Sequence, residues 1–216
     1  MQHLDLEQLK QLQIEKASLV KEKDCIKNPK ILLAVSVFQK NQKIRAGGIL
    51  YDLKSNSLLD SHLGGWITAS SPYISTFLSV RNKQPLIQVI TKFLSFDILM
   101  VEGAGRQHPR HFGLACELGV DLDLPTIGIT KKALFGSVDF NHSLDNREYS
   151  YDVFPVYDKE DLIAFFIKKR TNKQGIYLSI GHKLSLLTAV DIVLPLLVYK
   201  FPEPLRLIKT LLRKST

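Results

Sequence analysis

The chain has 216 residues, 45% of them hydrophobic and 23% charged, which is ordinary for one globular domain and enough to bury a core. Lys and Arg outnumber Asp and Glu by 29 to 21, a formal net charge of +8, so polyanions are attracted over the whole surface, although basic surfaces also serve solubility alone. The only two cysteines, Cys25 and Cys116, have no metal-ligand spacing and exclude a disulfide scaffold, which suits a reducing cytoplasm.

Met1 to Cys25 alternates charged and apolar residues and lacks the apolar core of a signal peptide, so a cytoplasmic protein is expected. Asp5 followed by Gln8 has the form of a capping box, and Leu9, Leu12, Leu19 and Val20 recur at helical spacing, which predicts an amphipathic helix from Asp5 to Lys23. Ile31 to Phe38, Lys43 to Asp52 and Ser57 to Leu63 read as three successive antiparallel strands separated by polar turns. Gly64 to Asn82 is a long loop rich in Gly, Ser and Thr that carries Trp66, Tyr73 and Phe77, a heavy aromatic load for a linker.

Helical spacing returns over Lys83 to Leu94, followed by a buried strand at Asp97 to Val101, a helix at His111 to Leu118 and a strand at Pro125 to Ile129. Lys131 to Leu134 starts another helical segment, Asp139 to Tyr157 is polar and irregular, and Leu162 to Lys168 pairs with Gly175 to Ile180 as a hairpin. From Leu184 onward the chain reads as helical to its end. Its most apolar stretch, Leu184 to Tyr199, is interrupted by Asp191 and Pro195 and falls short of the about 18 uncharged residues of a membrane span. With no repeat or linker, residues 1–216 are expected to form one domain: a meander, then alternating β and α units, making a mixed sheet with helices packed on it.

The most informative segment is Val101-Glu102-Gly103-Ala104-Gly105-Arg106-Gln107-His108-Pro109-Arg110, where an apolar strand ends and a loop leads toward a helix. Ligand-handling groups collect at the carboxyl ends of strands in α/β sheets. Gly103 and Gly105 let backbone approach a ligand, His108 can exchange a proton or bond a phosphate, and Arg110 can fork onto a phosphate. An acidic residue and glycines after a strand also make an ordinary tight turn.

Residues Asp97 to Gly136, DILMVEGAGRQHPRHFGLACELGVDLDLPTIGITKKALFG, resemble without gaps the central block of the endonuclease V family, which runs V-D-G-H-G, then H-P-R, G-L-A, L-G-V and P-T-I-G-V-A-K. Pro72 to Asn82 resembles the family's P-Y-I-P-G-x-L-x-F-R-E, Ile31 to Phe38 its first strand, and Ser179 to Ala189 its S-x-G-H-x-x-S-L-E-T-A segment. The resemblance implies an RNase H-like fold and a metal-dependent endonuclease that recognises inosine or deoxyinosine, opens the strand with a wedge, and hydrolyses a phosphodiester one nucleotide 3′ of the lesion.

Such chemistry needs a divalent ion such as Mg²⁺ held by hard anionic oxygens. The family supplies them from a first-strand aspartate, a central-strand aspartate and the glutamate of R-E. The corresponding residues here are Ser36, Glu102 and Asn82, and the glutamate of S-L-E-T-A is Leu187. Three of four acids are neutral and the fourth is lengthened by a methylene. Glu117 and Asp191 are carboxylates outside the pattern that could substitute if either points beside Glu102.

By the resemblance, His108, Lys131 and His182 stand where the family keeps a histidine, a lysine near the scissile phosphate and a late histidine. Taken singly, His108 reads sooner as a cap of the helix that begins near Pro109, and Lys131 sooner as a surface residue opening a helix. Tyr73 matches the wedge tyrosine, Leu78 would pack against a base, and Arg81 keeps the arginine of R-E. Ser75 and Thr76 replace a Pro-Gly pair and Ala104 replaces the histidine of G-H-G, which alters the lesion pocket. Basic runs at Lys168, Lys169, Arg170 and Lys173, and at Arg206, Lys209, Arg213 and Lys214, could each follow a phosphate backbone or form a solvated face.

The expected function is binding of inosine-containing or distorted nucleic acid, DNA or RNA, by a monomer, with metal-dependent cleavage lost or impaired. The alternatives are an active Mg²⁺-dependent repair endonuclease with a rearranged metal site, and a scaffold kept for protein–protein interaction. No cofactor is expected unless the nuclease is active.

Overall fold

The computed structural model describes residues 5–144 and 149–214. In chain order the elements are α1 (Leu6–Ala17), β1 (Ile31–Lys40), β2 (Lys43–Asp52), β3 (Ser57–Leu63), β4 (Ile67–Thr68), α2 (Leu78–Ile90), β5 (Ile98–Glu102), α3 (Leu114–Leu122) and β6 (Thr126–Thr130). There follow β7 (Ser137–Val138), β8 (Tyr151–Asp158), β9 (Asp161–Lys169), β10 (Gly175–His182), α4 (Leu186–Val193), a 3₁₀ turn (Leu194–Leu196) and α5 (Glu203–Lys214). The strands form one mixed sheet in the order β3-β2-β1-β5-β6-β10-β9-β8-β7, with β4 added to β2.

Strand β1 lies inside the sheet, antiparallel to β2 on one side and parallel to β5 on the other, as the meander and the apolar run at residue 97 predict. Both faces of these strands are buried, so they read as continuous apolar runs rather than as alternating ones. Leu32 and Ala34 of β1, with Ile98 and Met100 of β5, face a core that includes Val193 of α4 and Leu205, Ile208 and Leu212 of α5. Leu33, Val35, Leu99 and Val101 face the opposite core, made with α2 and α3. Gly47 of β2 lets α5 come close, because a Cβ there would lie 2.7 Å from the Ile208 side chain.

Several elements differ from the sequence expectation. Helix α1 stops at Ala17, where the chain turns and Val20 packs on the core instead of extending the amphipathic face. α2 starts five residues before Lys83 and keeps Pro85 inside it. α3 starts at Leu114 and is capped by Asp123 in the left-handed conformation. Residues 131–134 are not helical, and Thr130 Oγ1 donates to the Lys132 carbonyl at 2.9 Å within the bend.

The segment read as irregular contains β7 and β8. Pro155 obscures the strand signal of β8, yet Val153, Phe154 and Val156 are buried in it. Residues 145–148 of that segment lie outside the described residues. The carboxy-terminal region is two helices rather than one. Residues 197–202 break it, ending at Pro202, and the Tyr151 hydroxyl donates to the Leu197 carbonyl. Among the described residues no helix is long and apolar enough to cross a membrane.

Candidate active-site cleft

The two-residue period of a strand fixes where the site lies. Val35 pairs with Val101, so the next residues, Ser36 and Glu102, stand side by side on the face that α5 covers. Ser36 is buried, and its hydroxyl donates to Glu102 Oε2 at 2.5 Å. The other carboxylate oxygen, Oε1, accepts from the ammonium of Lys209, which reaches over from α5. Both oxygens of Glu102 therefore have partners within the chain.

Glu102 opens onto a cleft of about 590 Å³ at the carboxyl ends of β5 and β6. Around it stand the loop of Tyr73, Ser75 and Thr76, the start of α2 with Leu78 and Asn82, the turn of Gly103 and Ala104, and His108, Lys131, Lys132 and Lys209. Glu102 is the one carboxylate among these lining residues, set against three lysines, so the lining is net positive. Tyr73 is 63% exposed. Asn82 is buried, and its Oδ1 has no hydrogen-bond partner.

Lys131 and Lys209 both approach the Phe201 ring, with Nζ atoms 4.8 and 5.6 Å from its centre. The pKa of Lys131 is lowered, first by burial and next by the nearby charge of Lys209, against the opposing pull of Glu102. A charged ammonium here is thus crowded by like charge and drawn to negative groups.

The remaining expected residues are placed differently. His108 lines the cleft but is tied on both sides: Nδ1 accepts from the Arg110 amide at 3.2 Å, which leaves Nε2 to donate to the Thr76 carbonyl at 2.9 Å. Burial lowers its pKa to about 4, so it is a neutral bracing group. Arg110 is not a free phosphate fork. Its guanidinium donates to Gln13 Oε1 at 2.6 Å and to Thr76, and lies 4.6 Å from the Phe77 ring. Both residues hold the backbone of Thr76 at a φ of 67°, a left-handed conformation that strains a β-branched residue.

His182 is not in the cleft. It pairs with Thr126 at the opposite end of β6, where Nδ1 accepts from the Lys21 amide at 3.2 Å and Asp123 stands 3.5 Å away. Arg81 is buried outside the cleft lining, and its Nε has no partner. Gly103 lines the cleft, but Gly105 serves packing: its amide donates to Ser179 Oγ at 2.9 Å, and a Cβ would fall 2.0 Å from the Ile180 carbonyl oxygen. Leu187 is exposed on α4, Glu117 pairs with Lys83 at 2.6 Å, and Asp191 is exposed, so none of them adds an acid beside Glu102.

Sequence reading names Lys209 only within a basic run that could follow a phosphate backbone or form a solvated face, and does not single out Phe201. The usable signal for Lys209 is its place beside Ile208 in the Leu205, Ile208, Leu212 stripe, which puts it at the edge of the buried side.

The family model of endonuclease V matches residues 14–209. An endonuclease V of Thermofilum pendens is 32% identical over 210 residues, covering 95% of this chain and 87% of that protein. One of Rippkaea orientalis is 39% identical over 137 residues, 62% of this chain and 58% of that protein's length. Among solved structures, Ciona intestinalis endonuclease V in complex with a 24mer DNA containing an inosine followed by a ribo-adenosine superposes with a TM-score of 0.82 at 19% identity, covering 99% of this chain and 98% of that one. The chain belongs to the endonuclease V family.

Proposed function

We propose that this protein binds inosine-containing or otherwise distorted nucleic acid in the cleft beside Tyr73 and does not cut it by the metal-dependent reaction of its family. The observation that carries this reading is the pairing of both Glu102 oxygens, one with Ser36 and the other with Lys209. A divalent ion held for phosphodiester hydrolysis requires converging anionic oxygens. The residues here do not fit one: Ser36 and Asn82 are neutral, the single carboxylate is engaged, and an ammonium stands against it. Among the described residues, no group of three or more His, Cys, Asp or Glu is arranged to hold a metal.

Binding has separate support. The net-positive lining suits a phosphate backbone, and Tyr73 offers a flat exposed ring at the rim, the kind of group that fills the gap left by a displaced base. Leu78 adds an apolar contact for a base. The family relative from Ciona intestinalis was crystallised on inosine-containing DNA, which makes that class of ligand the first to test.

The experiment is a cleavage and binding assay on the same labelled strands, with and without inosine, in Mg²⁺ and in Mn²⁺. Binding without cleavage is expected. Robust cleavage that Glu102→Gln abolishes would overturn the reading and require a ligand set other than the one described.

A further inference from the structure

We infer that the ammonium of Lys209 acts as the built-in cation of this cleft, so that Lys209, over Phe201 and beside Glu102, makes a phosphodiester-binding site that works without metal. The inference rests on the nucleic-acid reading above and adds the residue and the charge that perform it.

The placement comes from the helix. The apolar stripe of α5 docks Leu205, Ile208 and Leu212 into the core, and Lys209, next to Ile208, emerges at the edge of that contact with its side chain 22% exposed. Its amphipathic stem lies along apolar surface while the charged head reaches the strand ends. There it meets Glu102, so the negative charge that could attract an ion from solution is already matched by a covalently attached one.

One carboxylate does not balance this neighbourhood. Lys131 lies over the same Phe201 ring, with its ammonium close enough to Lys209 for the two charges to oppose each other, and Arg213 adds to the positive field at Lys131. Two ammonium groups near one aromatic ring, with Glu102 the single carboxylate lining the cleft, leave positive charge that an anion would relieve. Asn82 contributes a second, independent observation. Its side-chain amide is buried in the cleft wall with one terminal atom unpartnered. Rotating the amide by half a turn presents its N–H groups instead, so it can donate to a phosphate oxygen as readily as it accepts. A strand whose base reaches Tyr73 would bring phosphate oxygens toward these lysines and this amide.

The test uses the full chain and a fluorescein-labelled single strand carrying one inosine, followed by anisotropy over a range of salt in EDTA and again in Mg²⁺. The unmodified protein should need no Mg²⁺, binding at least as tightly in EDTA as in Mg²⁺. Lys209→Gln should weaken binding about tenfold, and the slope of log affinity against log salt should fall by about 0.7, as for loss of one phosphate contact on a single strand. Lys209→Arg, which keeps the cation, should retain most of the affinity and the slope. A merely structural role for Lys209 would leave the salt slope of both variants unchanged, and that result overturns the inference. So does binding that requires Mg²⁺, or a Mn²⁺ site in the unmodified protein detected by electron paramagnetic resonance. Failure of the unmodified protein to bind any strand would instead refute the nucleic-acid reading and remove this site with it.

Discussion

His108 Nε2 donates to the carbonyl of Thr76 at 2.9 Å, so the histidine that the sequence resemblance offers as a site residue braces a strained loop. The ring is 2% exposed and its pKa is lowered to about 4, first by burial and then by the positive charges of Arg110 and His111, against the raising effect of the Thr76 bond. In the unfolded chain a histidine titrates near 6.5. As pH falls below that value the unfolded state takes up the proton first, so stability is complete above about 6.5 and declines toward about 4. The decline from this one group is up to about 3 kcal/mol. His182, whose pKa is also lowered by burial, acts in the same direction. Urea unfolding at pH 7 and pH 5 should therefore show a loss at the lower pH, and His108→Gln should reduce that loss. An unchanged pH dependence in the variant would mean that His108 is solvated.

The loop so held presents Tyr73. Its ring is exposed, whereas Phe77, four residues on, is buried beneath Arg110 and anchors the loop. Tyr73→Ala should leave stability nearly unchanged and weaken binding to a mismatched or inosine-containing strand by about tenfold, the size of one lost base–aromatic stack. Binding to regular duplex should change little, because no base is displaced there for the ring to replace. Equal loss on both substrates in an anisotropy titration would count against a wedge.

How much of this could be read from the sequence depended on the kind of signal. Strands β1, β2, β3, β5 and β6 were legible because their apolar runs are bounded by polar turns, and the same strands fix Ser36 beside Glu102. Strand β8 was not, because Pro155 and its flanking aspartates interrupt the pattern while cross-strand pairing with β9 buries it anyway. The motif around residue 102 located the cleft but did not assign roles inside it. Whether His108 titrates, whether Arg110 is free and where His182 points depend on Thr76, Gln13 and Lys21, which are distant in sequence. Lys209 was hidden for the same reason: its partner lies 107 residues away.

Gly105 separates packing from ligand approach. Its missing side chain lets the loop after β5 lie on β10, and an added methyl would meet the Ile180 carbonyl at 2.0 Å, a backbone atom that no rotamer change can move. Gly105→Ala should destabilise the protein by about 3 kcal/mol or more, at the upper end of overpacking effects. The loss should appear in urea unfolding in the absence of any nucleic acid. Gly103→Ala meets only the flexible Leu114 side chain, at 3.1 Å, and should be milder in the same assay. A reversed order would place the structural constraint at the wrong glycine.

The sharpest expectation concerns rebuilding the metal site. On the proposed reading, Ser36→Asp, Asn82→Glu and Glu102→Asp would supply the acids that the sequence resemblance leads one to expect, within β1, on α2 and at the end of β5. That alone should be insufficient, because the Lys209 ammonium already stands against residue 102 and, as a flexible cation, would pair with whichever new carboxylate it reaches. A divalent ion entering such a site must displace a charge that is tethered to the protein and cannot diffuse away. Adding Lys209→Asp removes that competitor and adds a fourth anionic ligand, so Mn²⁺ binding followed by electron paramagnetic resonance should be weak in the triple variant and strong in the quadruple one. Cleavage of an inosine-containing strand should follow the same order, and only after Mn²⁺ binding has appeared, since the ion must be held before it can orient an attacking water. Reverting Thr76→Gly would further open the base pocket and relieve the positive φ, at the loss of the 2.8 Å bond from Arg110 to the threonine hydroxyl. If the triple variant binds Mn²⁺ as tightly as the quadruple one, Lys209 is not the obstacle, and the missing acids alone account for the altered site.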